Sequence, residues 1–300
     1  MKINYTSCPV CGSKNLQYKL SAKDHTVSNE VFDILECNNC TLRVTKGVED
    51  EEGIGKYYKS DNYISHSDTT KGAVNFLYHK VRQVTLKSKR NFLIKSVKLK
   101  KGKLLDIGAG TGAFASFMKQ NEWEVTGLEP DENARKTAFD LHGIELLPSD
   151  QLFQIGSESF DAITMWHVLE HVHKLNEYII ELKRLIKPYG KIFIAVPNYT
   201  SLDAQKYKQN WAAYDVPRHL YHFSPQSMRQ LLLKHQLHLD EIKPMWFDSF
   251  YVSMLSEEYK SSKSNLPKAL ISGSASNFRA LKNKEQASSL IYIISKSPSS

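Results

Sequence analysis

The sequence holds no cysteine after residue 40, no apolar run near the roughly 18–20 residues that cross a bilayer, and no acidic residue between Lys71 and Lys103. The longest apolar stretches, Ile192 to Pro197 and Leu290 to Ile294, are too short to span a membrane. No apolar segment precedes Cys8, so no secretory signal is expected, and the chain reads as cytoplasmic with no membrane partner. There is no internal repeat. A composition of 41% hydrophobic and 24% charged residues excludes a disordered or collagenous chain. Length points to one large domain with a small appendage. The net charge of +8 is local, because Lys71 to Lys103 carries eleven basic residues and the remainder is slightly acidic. That segment reads either as a solvated helix face or as a phosphate-contacting surface for nucleic acid or a nucleotide-linked substrate.

What is present begins with the cysteines, arranged as Cys8-Pro9-Val10-Cys11 and Cys37-Asn38-Asn39-Cys40. A two-residue spacer lets both thiolates of a knuckle turn toward one ion, and two knuckles complete the tetrahedron that zinc prefers. With all four places taken by protein, such a zinc is structural, and the chemistry must lie elsewhere.

Residues 1–46 are expected to form this ribbon, with short strands at Val31 to Leu35 and Leu42 to Val44. A connector over 47–102 follows. It carries the aromatic segment Lys56 to His66 and then a basic amphipathic helix, whose apolar stripe runs through Val74, Leu77, Tyr78, Val81, Val84, Phe92, Leu93 and Val97. Residues 103–300 form the main domain. Candidate strands at Leu104 to Ile107, Glu124 to Leu128, Ile144 to Leu147, Phe160 to Met165 and Lys191 to Val196 alternate with helical stretches, which argues for a doubly wound α/β sheet. A further helix is expected over Gln226 to Gln236, and further strands at Leu239 to Met245 and Leu290 to Ser295. Between them, 256–289 reads as a long, partly mobile insertion with some helix.

The chemical centre is Leu104-Leu105-Asp106-Ile107-Gly108-Ala109-Gly110-Thr111-Gly112-Ala113-Phe114: a strand, alternating glycines, then a helix. Glycine lets the backbone come close to a nucleoside, and the helix start offers unpaired amides to a carboxylate. Ala113 also satisfies a dinucleotide fingerprint, so spacing alone leaves NAD open. Glu129, ending the second strand about twenty residues after the loop, suits the two ribose hydroxyls that NAD and S-adenosylmethionine share.

Downstream come Phe160-Asp161, then Val168-Leu169-Glu170-His171-Val172, Leu185-Ile186-Lys187-Pro188-Tyr189-Gly190, and Pro197-Asn198. This ordered set resembles the class I S-adenosylmethionine-dependent methyltransferases, in particular the subgroup similar to ubiquinone-biosynthesis O-methyltransferases, with an amino-terminal zinc ribbon. Tyr189 replaces the first glycine of that group's KPGG turn, a departure expected only to tighten the turn. Trp211 to Ser224, WAAYDVPRHLYHFS, is similar to a segment of zinc-ribbon members of the group. The resemblance implies a seven-stranded sheet with an antiparallel last strand. It also implies cofactor contacts from Asp106, Gly108, Ala109, Gly110, Gly112, Phe114, Glu129, Pro130, Asp150, Trp166 and His167.

Methyl transfer to oxygen or carbon needs alignment and removal of a proton, which suits histidine. His167 and His171 follow the fourth strand, and His222 lies in the segment resembling an acceptor cover; these three are the candidate catalytic residues. His167, Glu170 and His171 share a face if their turn is helical, and could then hold a divalent metal in place of a base. Tyr57, Tyr58, Tyr63, Trp211 and Tyr214 either line an acceptor pocket or pack between helices. No (Asp/Asn)-Pro-Pro-aromatic sequence follows the fourth strand and no cysteine is free, which disfavours base amines and pyrimidine C5 and leaves small-molecule hydroxyls first, activated carbon second. An RNA methyltransferase gripping RNA with ribbon and basic helix, and a catalytically silent cofactor-binding protein, are the alternatives carried.

Overall fold

The computed structural model describes residues 1–58, 73–261 and 265–297, except for the side chains of 73–82. Tyr63, Lys71 and the side chains of Val74, Leu77, Tyr78 and Val81 therefore lie outside the described residues. In chain order the elements are β1 (Lys2–Ile3), β2 (Leu16–Lys23), β3 (Val31–Cys37), β4 (Arg43–Thr45), β5 (Val48–Glu49), α1 (Ala73–Val97), β6 (Lys103–Ile107), α2 (Ala113–Gln120), β7 (Glu124–Leu128), α3 (Glu132–His142), β8 (Phe160–Trp166), α4 (Leu175–Leu185), β9 (Ile186–Pro197), α5 (Leu202–Tyr207), β10 (Tyr221–His222), α6 (Pro225–Lys234), β11 (Leu237–Pro244), α7 (Asp248–Ser261), α8 (Leu266–Lys282) and β12 (Ser289–Lys296).

The main sheet has the order β11-β12-β9-β8-β6-β7, and β6 pairs in parallel with both β7 and β8. Parallel neighbours need crossovers, which α2 supplies between β6 and β7, and strands buried on both faces read as near-continuous apolar runs. Leu104, Leu105, Ala162, Ile163 and Ile192 to Ala195 are accordingly fully buried. This α/β sheet holds six strands among the described residues, not seven. Ile144 to Leu147 is reduced to an isolated parallel bridge, Leu128↔Leu147, because the chain leaves the sheet edge after one residue to enter the 3-10 turn Ser149–Gln154.

The chain divides into two compact units that do not follow chain order. One comprises Met1–Tyr63, His167–Ile179 and Ile194–Tyr292; the other comprises Ile64–Trp166, Ile180–Phe193 and Ile293–Ser300. In the first unit the ribbon strands form a sheet ordered β10-β4-β3-β2, so a strand from the WAAYDVPRHLYHFS segment completes the ribbon's own sheet. The aromatics Tyr57, Trp211 and Tyr214 are buried there in one cluster with Phe32, Ile34 and Val216.

Two motifs turn out to be clamps. In the second unit Asp161 accepts the Lys103 backbone N–H at 2.8 Å and the Lys187 ammonium at 2.8 Å, so the FD and LKP motifs fasten each other. In the first, the Asn198 side chain donates to the carbonyls of Glu285 and Ala287. Tyr189 occupies no tight turn: it lies in β9 and is 94% exposed. The 256–289 segment is largely helical. It contains the end of α7, the whole of α8 and a 3-10 turn at Lys284–Gln286, with α8 started by Asn265, whose side chain accepts the Lys268 N–H.

Candidate active site

In the second unit, β6 runs into the glycine loop with Gly108, Gly110 and Gly112 all at positive φ. Gly112 caps α2 at φ 76°, and a Cβ there would lie 2.8 Å from Ile144 Cγ2 and 2.9 Å from Ala138 Cβ, so no other residue fits. At Gly110 (φ 56°) a Cβ would meet nothing within 4 Å among the described residues. Ala109 instead packs toward Ala115, Ala138 and Leu146.

Glu129 organises the loop from the end of β7. Its two carboxylate oxygens accept the N–H of Gly110 at 2.8 Å and of Asp131 at 3.1 Å, and burial pushes its pKa above the usual carboxylate range despite those bonds. Asp106 is fully buried, and burial raises its carboxyl to about 6, moderated by the Thr164 hydroxyl at 2.6 Å and by Lys89. The Phe114 ring stands edge-on to Trp166, whose face is covered by the Lys89 ammonium at 4.3 Å from its centroid. The Trp166 indole N–H is buried and has no hydrogen-bond partner among the described residues. Pro130 and Asp150 are exposed. Open space at Gly110, an orphaned indole donor and a strand-end carboxylate are what a nucleoside cofactor would fill, satisfy and bond.

The histidines gather in the first unit. Residues after β8 form an irregular turn, not a helix, and His167 has φ 58°. Its two ring nitrogens face two carboxylates: Nε2 lies 2.9 Å from Asp248, and Nδ1 lies 3.4 Å from Glu170. Two acceptors require two N–H donors. Burial alone would lower the His167 pKa, but Asp248 and Glu170 outweigh it and raise it to about 10, so the ring is an imidazolium at neutral pH. Glu170 is fully buried and has no hydrogen-bond partner for its carboxylate among the described residues; burial raises its pKa, yet His167 and the neighbouring histidines bring it below the usual value.

His171 is the opposite case. Its Nδ1 donates to the Arg218 carbonyl at 3.0 Å, leaving Nε2 as the lone-pair nitrogen, and burial together with His219 lowers its pKa to about 4. The Tyr58 hydroxyl lies 3.2 Å from the same Nδ1. His219 likewise donates Nδ1–H to the Ala213 carbonyl at 2.9 Å. One atom each from Glu170, His171 and His219 therefore lies within 4.8 Å of the others. His167 is not in that trio. His222 is held from the ribbon: the Thr45 hydroxyl donates to the His219 carbonyl at 2.7 Å and accepts from His222 Nε2 at 3.0 Å. Burial drives the His222 pKa well down.

The four cysteine sulfurs also lie within 4.8 Å of one another, with Cys8–Cys40 at 3.4 Å and Cys11–Cys37 at 3.5 Å and no disulfide. Zinc–sulfur bonds of about 2.3 Å in a tetrahedron put sulfurs about 3.8 Å apart, so the set fits that ion. The knuckles are built alike: Gly12 N–H bonds the Cys8 carbonyl and Thr41 N–H the Cys37 carbonyl, each at 2.8 Å and each donor at positive φ.

A family model described as "Methyltransferase domain" matches residues 78–242. The chain belongs to this methyltransferase family. It is similar to the ubiquinone biosynthesis O-methyltransferase of Rickettsia bellii, 23% identical over 212 residues that cover 62% of this chain and 82% of that protein. The protein of the same name from Caulobacter vibrioides is 32% identical over 105 residues, 32% of this chain and 41% of that one. Among solved structures, a SAM-dependent methyltransferase from Archaeoglobus fulgidus is 21% identical with a TM-score of 0.49, covering 74% of this chain and 99% of that one.

In this S-adenosylmethionine-dependent methyltransferase the structure brings Asp106, Phe114, Glu129 and Trp166 to the glycine loop and gathers His171 with Glu170 and His219. Lys89 from the basic helix, and Asp248, Thr45 and Arg218, join these groups without a local sequence pattern that marks them. The basic helix itself is mixed: Lys87 and Lys95 are exposed, while Lys89 and Arg90 are half-buried.

Proposed function

We propose that this methyltransferase moves the methyl group of S-adenosylmethionine to the hydroxyl of a small molecule, such as a nucleotide-linked sugar or another phosphorylated acceptor. The trio Glu170, His171 and His219 carries the reading. Both rings spend their Nδ1–H on backbone carbonyls, which leaves each Nε2 with a lone pair, and one ligand atom of each ring lies within 4.8 Å of a Glu170 oxygen, a setting that suits a hydroxyl donor. The cofactor supplies an electrophilic methyl carbon on a sulfonium. With the cofactor bound, the methyl carbon–sulfur bond would break as the acceptor oxygen–carbon bond forms, with S-adenosylhomocysteine as the leaving group; His171 Nε2 would take the hydroxyl proton and Glu170 would stabilise the resulting imidazolium. A low basicity suffices, because the hydroxyl becomes acidic only as it is alkylated. His167, already protonated, acts as a positioning cation, and His222 as a residue placed by the ribbon. The similarity to ubiquinone biosynthesis O-methyltransferases favours oxygen over carbon.

The four cysteines hold a structural zinc in this reading, and the glycine loop with Glu129 and Trp166 holds the nucleoside. The ribbon over 1–46 and the catalytic domain over 103–300, joined by the connector, remain the functional division, with the bridge at Leu147 standing for the seventh strand and β12 returning antiparallel. The work is placed in the cytoplasm. Turnover with methyl-labelled cofactor across hydroxylated and carbon acceptors tests this. An O-methyl product is expected, and His171→Gln should lower kcat about 100-fold or more while the cofactor KM is kept. A C-methyl product, or His171→Gln activity within twofold of wild type, contradicts it.

A further inference from the structure

Helix α8 is turned inside out. The side that packs against the protein carries Ala269, Ser272, Gly273, Ser276 and Ala280, all buried and all small. The side that faces water carries Leu266 (56% exposed), Leu270 (56%), Ile271 (69%), Phe278 (62%) and Leu281 (69%). At 100° per residue those five cover an arc of about 140°. Single exposed apolar residues need no explanation, but five on one ridge do.

The helix cannot roll to hide them. A Cβ on Gly273 would lie 2.7 Å from Phe250 Cδ1, so only glycine lets α8 approach α7 this closely. The Ser276 hydroxyl donates to the buried Asp203 at 2.7 Å, and Asp203 is itself tied to Trp211 Nε1 at 2.8 Å and Ser288 Oγ at 2.7 Å. The outward face is therefore held outward by a close-packed seam and a buried carboxylate.

Charge decides what meets it. Leu266–Lys282 contains Lys268, Arg279 and Lys282 and no acidic residue, and the three cations are exposed along one border of the apolar ridge. Two copies packed through this face would oppose their own cations with no acid on the helix to answer them. A helix of 17 residues is about 25 Å long. Laid flat, it presents a convex apolar edge with a basic flank, the form that enters the headgroup boundary of an anionic bilayer. We propose that α8 docks this protein on an anionic lipid surface, its apolar ridge inserted and Lys268, Arg279 and Lys282 on the headgroups. The lack of a spanning run does not bear on a helix lying in the plane, and the inference stands apart from the identity of the methyl acceptor.

The test is sedimentation of the full chain with vesicles of phosphatidylcholine alone or with about one-third phosphatidylglycerol. Wild type should partition onto the anionic vesicles at least about tenfold more strongly than onto neutral ones, and salt raised from about 50 to about 500 mM should weaken it. Ile271→Glu with Leu281→Glu, and separately Lys268→Glu with Lys282→Glu, should each cut binding about tenfold with the thermal midpoint unchanged. Failure of wild type to sediment with anionic vesicles overturns the proposal, as does equal binding by the variants. A dimer in sedimentation velocity that the first variant splits, without vesicle binding, overturns it in favour of self-association.

Discussion

Arg218 offers the sharpest perturbation of the first unit. Its guanidinium is fully buried and reaches three partners from separate stretches of chain: Asp215 at 2.6 Å, Asp24 at 3.1 Å and the Tyr57 carbonyl at 2.9 Å. Asp24 is buried too, and its carboxylate also accepts the N–H groups of Thr26, Val27 and Ser28, so it closes the loop between β2 and β3. Replacing Arg218 by methionine keeps most of the volume and strands Asp24 without its cation. Breaking a buried pair by removing one partner costs about 3–5 kcal/mol. At about 2–4 °C per kcal/mol for a unit of this size, the thermal midpoint should fall by about 10 °C. Differential scanning calorimetry measures this directly. Asp24→Ala alone should also destabilise, and the double variant should lose less than the sum by about 2 kcal/mol, because each single change removes the same contact. A midpoint within about 2 °C of wild type for Arg218→Met, or strict additivity in the cycle, would refute the reasoning.

Two further outcomes follow from the same site chemistry. His167 has a folded pKa raised to about 10 against about 6.5 unfolded, so its contribution to stability is full below pH 6.5 and drains away as pH rises toward 10; the denaturant midpoint of wild type should therefore converge on that of His167→Gln across this range, and a constant gap contradicts it. Chelation should release one zinc per chain by elemental analysis and unfold the ribbon, since structural zinc contributes roughly 10–16 kcal/mol in small modules; a thermal profile unmoved by chelation contradicts a structural metal.

The parts of the fold that were legible in the sequence are those whose physics is local. The β6 to α2 turn announces itself because Gly112 has no room for a Cβ, and the two knuckles because each spacer sets its own geometry. Motifs read as signatures of chemistry proved partly mechanical, as the bond between Asp161 and Lys187 shows. Ile144 to Leu147 has strand composition, yet what an edge segment does depends on the neighbour it finds, and it pairs at one residue only. The state of His167 was out of reach because Asp248, far along the chain and in no motif, fixes it. The ribbon's place beside His222 depends on a β4 to β10 pairing, Tyr221↔Val44 and His222↔Arg43, that joins distant segments. Tyr57, Trp211 and Tyr214 pack together as core, while the Tyr58 hydroxyl lies 3.2 Å from His171 Nδ1 and the Tyr214 ring stands edge-on to His222.

Whether the glycine loop and Glu129 bind the cofactor of this methyltransferase is tested most directly by calorimetric titration with S-adenosylhomocysteine. Glu129 would accept two ribose hydroxyls, and bonds to an ionised group contribute about 1.5–3 kcal/mol each, so Glu129→Ala should weaken binding by about 3 kcal/mol or more, at least about 100-fold. Micromolar binding by wild type with that loss in the variant is the predicted result; no binding by wild type, or equal affinity in Glu129→Ala, would contradict the account.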